Sequence, residues 1–173
     1  MRLVIIDGYN VVYGSPRLKL LLSKAPFAAQ QELIEGVLTY AVARQLKCIL
    51  VFDAHTRGQE ERWQKVSSLL SVVWTARGVT ADSFIEAYIS ANKKQYAYVY
   101  LITSDLAQGF TVLDSDVIPR SPQVFLREVH LAARSLLKHH TPGDGSFAHH
   151  LISGPARQKL RDIRRANGSE SSG

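Results

Sequence analysis

Three short apolar runs in this sequence are each followed by an aspartate. Leu3-Val4-Ile5-Ile6 ends in Asp7, Cys48-Ile49-Leu50-Val51-Phe52 ends in Asp53, and Tyr98-Val99-Tyr100-Leu101-Ile102 leads through Thr103-Ser104 to Asp105. A fourth acid, Asp82, opens a helix-like stretch, with Glu86 one turn further on the same face. Ligands of open parallel α/β sheets sit outside the carboxyl ends of the strands, so these acids are expected to share one rim. Crowded carboxylates repel one another and lose hydration unless a divalent cation neutralises them. Magnesium is the expected ion, with manganese as its substitute. Hard oxygen ligands, retained waters and a substrate phosphate are its usual surroundings, and such a site suits phosphodiester hydrolysis.

Each acid also has a plainer use. Asp82 could cap the helix that follows it, and Asp53 and Asp105 could form turns. The joint pattern favours a shared site, because turn formation alone does not call for Asn10, Thr103 and Ser104 beside the acids.

The elements that must position these residues alternate. The apolar runs read as strands buried on both faces, and residues 71–75 as a shorter strand. Val117-Ile118 reads as a weak strand limited by Pro119. Helical spacing marks residues 27–46 and 80–94, and Pro122 starts a helix towards residue 138. The economical arrangement is an α/β three-layer sandwich with a mostly parallel central sheet. Residues 1–140 are expected to form the main domain. Residues 141–166 are expected to be a loop and a short basic helix, and 167–173 a disordered tail.

Composition narrows the field. The 173 residues carry 46% hydrophobic and 21% charged side chains, which excludes coiled-coil, collagen-like and wholly disordered readings. No run approaches the roughly 18 apolar residues of a membrane span, and a cytoplasmic location is expected, with no membrane partner. The single Cys48 excludes an internal disulfide and a cysteine-based zinc knuckle. Neither a P-loop nor a Gly-x-Gly-x-x-Gly run is present, and Tyr9 stands where a haloacid-dehalogenase phosphatase needs a second Asp. The net charge of +6 favours a polyanionic partner.

Val4-Ile5-Ile6-Asp7-Gly8-Tyr9-Asn10 resembles the opening motif of the NYN domains, a branch of the PIN-like metal-dependent ribonucleases. Val51-Phe52-Asp53-Ala54-His55, Thr80-Ala81-Asp82 with Glu86, Ile102-Thr103-Ser104-Asp105, and Arg120-Ser121 with Leu126-Arg127-Glu128-Val129 resemble the YacP-type bacterial subgroup, in the same order. The resemblance covers residues 1–138. It implies a PIN-like endoribonuclease; at least one member of the family cuts messenger RNA in association with the ribosome. By position, Asp7, Asp82 and Asp105 match the metal-binding acids, and Asn10 and Ser104 the polar positions beside them. Asp53 and Glu86 either complete the cluster, bind through water or serve the fold. Metal-activated water needs no Ser, Cys or His nucleophile, and His55 either orients a phosphate or is a hydrogen-bonded loop residue. A non-catalytic RNA- or ribosome-binding protein of the same fold is the alternative function.

Candidate RNA contacts are Arg57, Arg62, Trp63 and Lys65 after Asp53, Tyr9 beside the first acid, and Arg120. For residues 54–65 the competing reading is a solvated helix face with Trp63 against the core. Residues 155–166 hold Arg157, Lys159, Arg161, Arg164 and Arg165 against Asp162 alone, either a docking helix for structured RNA or a terminal helix packed through Leu160 and Ile163.

Overall fold

The computed structural model describes residues 2–53, 60–104 and 116–138. Two compact units divide the chain at Ser135 and Leu136, and the description below concerns the first. Its elements run β1 (Arg2–Asp7), α1 (Gly8–Tyr13), α2 (Pro16–Lys24), α3 (Pro26–Arg44), β2 (Lys47–Phe52), β3 (Arg62–Lys65), β4 (Leu70–Trp74), α4 (Ala81–Asn92), β5 (Tyr98–Ile102), β6 (Val117–Arg120) and α5 (Pro122–Lys138). A short 3-10 turn, Lys93–Gln95, extends α4.

The six strands form one sheet in the order β3-β4-β2-β1-β5-β6, parallel except for β3. From β1 the chain moves outward through β2 to β4, then returns across the sheet to β5 on the other side of β1. The strand order therefore reverses between β1 and β5, the switch point at which such sheets form a crevice. Helix α4 packs on one face of the sheet and α1–α3 on the other.

Burial follows strand periodicity. Leu3 and Ile5 of β1 pack towards α4 with Ile49, Val51, Val73, Val99, Leu101, Phe84 and Ile85. Val4 and Ile6 turn to the opposite face, where Tyr40 of α3 meets Phe125 of α5 edge-on at 5.1 Å. The continuous apolar runs are thus explained by a sheet covered on both sides.

Four details add to or depart from sequence expectation. Residues 8–24 form two short helices, one capped by Asp7 and the other by Ser15 ahead of Pro16. Residues 62–65 are an antiparallel edge strand, not a helix face, because their backbone pairs with residues 71–74 of β4. Thr80, rather than Asp82, caps α4, accepting from the Ser83 N–H at 3.2 Å. Pro119 lies within β6, tolerated at the sheet edge.

Candidate active site

Asp7 is the last residue of β1 and the N-cap of α1. Its Oδ1 accepts from the Asn10 N–H at 2.9 Å and its Oδ2 from Asn10 Nδ2 at 2.7 Å. The turn between strand and helix is tight, and Gly8 is buried in it. A Cβ built there would lie 2.4 Å from the Phe52 ring and 2.9 Å from the Val51 carbonyl oxygen. The Asp-Gly pair is therefore a steric requirement for bringing the acid to the end of the central strand.

Asn10 also bonds across the switch point. Its Nδ2 donates to Thr103 Oγ1 at 3.2 Å, and its Oδ1 accepts from the Ser104 hydroxyl. Thr103 is fully buried; in the sequence it stands out only as a polar neighbour of the acids, and its position directly after β5 is the signal. One amide thus fixes the geometry of Asp7 and Ser104 together.

Asp82 arrives from the other side, in the first turn of α4. The position of that turn is set by Asp53, whose Oδ1 accepts from the Ala81 N–H at the start of the helix. Asp53 therefore fastens α4 to the end of β2, and its negative charge suits the positive end of the helix. Asp7 is buried, and its pKa is pushed up to about 6, first by burial, then by the charges of Asp82 and Asp53, against the lowering effect of the Asn10 bonds. These acids share one rim electrostatically. Glu86 is exposed, one turn along α4.

A hard divalent cation suits this donor set, since charged oxygens are concentrated where hydration is poor. Among the described residues no three His, Cys, Asp or Glu side chains come close enough to form a metal site. Asp105, the expected third acid, lies outside the described residues, as do His55, Arg57, Arg161, Arg164 and Arg165.

The candidate RNA contacts separate. Arg62 pairs in register with Trp74 at the acid-bearing edge of the sheet and lies 4.1 Å over its ring. Trp63 is 45% exposed, rests against Phe84 and Tyr88, and donates to Glu61 at 2.7 Å. Lys65 is exposed towards the opposite edge of the sheet. Tyr9 is a correction: its ring is buried against Phe52 at 5.4 Å and its hydroxyl accepts from Gln30, so no base can stack on it. Arg120 is another. Its guanidinium pairs with Glu128 at 2.6 Å and lies over Tyr100, on the sheet face away from α4.

A mostly parallel sheet with acids and an Asn10-centred polar bridge at its switch point defines an α/β domain whose candidate site lies at the carboxyl ends of the central strands. The chain belongs to the YacP-like NYN domain family, whose model matches residues 4–165. YacP of Bacillus subtilis (strain 168) is 28% identical over 137 residues, 79% of each chain. The crystal structure of Rae1 (YacP) from Bacillus subtilis matches this fold with a TM-score of 0.69 at 23% identity, covering 99% of both chains. The crystal structure of a tryptophan-to-leucine mutant of that protein matches with a TM-score of 0.68, also at 23% identity, covering 96% of this chain and 99% of that one. No helix among the described residues is long and apolar enough to cross a membrane.

Proposed function

We propose that this nuclease-type domain is a metal-dependent endoribonuclease. The observation that carries the reading is the crowding of Asp7 and Asp82 at the switch point, with the Asp7 pKa raised to about 6. Asp7, Asp82 and Asp105 hold the cation, magnesium or manganese. When bound, it activates water and stabilises negative charge on the phosphate and the departing oxygen. Asn10 orients the Asp7 carboxylate and, with Ser104, presents polar atoms to the scissile phosphate. Asp53 holds α4, and with it Asp82, in place. Glu86 stands ready for a water-mediated contact.

Arg62 and Trp63 begin an RNA track at the acid-bearing edge, with a base stacking on the exposed indole; Arg57 and, from the far end of β3, Lys65 add positive charge for the backbone. The basic residues Arg161, Arg164 and Arg165 dock structured RNA, with messenger RNA on the ribosome as the substrate and the cytoplasm as the location. The test is an RNA cleavage assay on purified protein with magnesium, manganese or chelator. Cleavage with either ion and none with chelator is expected; equal cleavage with chelator would remove the metal, and RNA binding without cleavage would favour a binding protein.

A further inference from the structure

Between α3 and α5, on the sheet face away from α4, lies a cavity of about 200 Å³. Strands β1 and β5 form its floor, and Arg2, Arg44, Arg120, Tyr40, Tyr100 and Glu128 line it. Three guanidiniums against one carboxylate leave a formal surplus of two positive charges. That carboxylate is already engaged: Oε1 of Glu128 accepts from Arg120 at 2.6 Å and Oε2 from the Tyr40 hydroxyl at 3.1 Å. These bonds, with the Tyr100 ring 4.7 Å beneath it, hold the Arg120 guanidinium in one orientation with further N–H groups to offer. The side chains of Arg2 and Arg44 have no ion pair among the described residues.

Two such cations around one cavity, beside a third held in place, are complemented by an anion. A dianion matches the surplus, and tetrahedral phosphoryl oxygens suit several arginine forks at once. The small volume suits a terminal group, whereas a continuous phosphodiester backbone needs an extended groove. The volume is below the roughly 300 Å³ at which pockets for drug-sized ligands begin, leaving room for a phosphate and little more than its sugar. We propose that this cavity binds the terminal phosphomonoester of a nucleotide or of an RNA chain through Arg2, Arg44 and Arg120. The site contains none of the rim acids, so the inference stands apart from the nuclease reading.

Titration calorimetry on the full chain, with chelator present, tests it using inorganic phosphate, adenosine 5′-monophosphate, adenosine, and one RNA oligomer with a 5′-phosphate or a 5′-hydroxyl. Phosphate and the monophosphate should bind while adenosine does not. A preference for the 5′-phosphorylated oligomer over both its 5′-hydroxyl form and the free nucleotide identifies an RNA end as the ligand, and the reverse preference identifies the nucleotide. Arg2→Gln and Arg44→Gln should each weaken binding about tenfold or more. No phosphate-dependent binding, or unchanged affinity in the doubly substituted protein with its fold intact, would overturn the proposal.

Discussion

Asn10 grips both carboxylate oxygens of Asp7, one through its backbone N–H and one through its side-chain amide. The same amide reaches Thr103 and Ser104, so the ends of β1 and β5 are joined where the strand order reverses. This network holds in place a carboxylate that its surroundings disfavour as an anion: burial, Asp82 and Asp53 together outweigh the Asn10 bonds.

The first prediction concerns pH. The folded protein holds the Asp7 proton more tightly than the unfolded chain, with a pKa of about 6 against 3.8. The resulting stabilisation is present below pH 3.8 and is lost as the pH rises through about 6. By pH 7 the loss is about 3 kcal/mol. Asp7→Asn should abolish this dependence, since the Asn10 amide can turn over to present its oxygen to the new NH2 group. Denaturant unfolding in chelator across this range checks it; parallel profiles for the two proteins would contradict it.

Replacing Asn10 by Ala should cost about 1–3 kcal/mol, because it removes the bridge between the two strand ends and the side-chain donor to the buried Asp7 carboxylate. The Asp7 pKa should rise further, as a lowering bond is lost. Thermal unfolding and carboxylate titration by NMR measure the two effects separately.

Gly8→Ala should destabilise by about 1–3 kcal/mol through overpacking against Phe52 and the Val51 carbonyl. Pairing it with Phe52→Leu should recover part of the loss, since a smaller side chain opens space at the ring position. A double-mutant cycle in urea reads the recovery.

Asp53 separates two roles. If it anchors α4 through the Ala81 N–H, Asp53→Asn keeps an acceptor and most of the cleavage rate, whereas Asp53→Ala loses about 1 kcal/mol of stability along with activity. Equal, severe loss of metal-dependent cleavage in both variants, with the fold intact, would make Asp53 a metal ligand.

Much of this arrangement is legible in the sequence because its central strands are buried on both faces. Leu3 to Ile6 and Cys48 to Phe52 are continuous apolar runs for that reason, and the acids at their ends mark the rim. Helix α1 is hidden because Asp7 serves as strand end and N-cap at once. The strand Arg62–Lys65 is hidden because an edge strand needs no apolar pattern when its pairing is with β4. Tyr9 cannot be placed from its neighbours in sequence, because its burial depends on the close approach of Gly8 to Phe52. Arg120 is drawn away from the rim by Glu128, eight residues later and one element on.

The most direct test of the central claim is the single-turnover rate of magnesium-dependent RNA cleavage by Asp7→Asn and Asp82→Asn proteins, measured beside the parent after folding is verified. Each substitution removes a charge that the metal would otherwise neutralise, so both proteins should fold at least as stably as the parent and cleave about a hundredfold more slowly or worse. Cleavage by both at near the parent rate, still dependent on magnesium, would contradict the assignment of the rim as the active site.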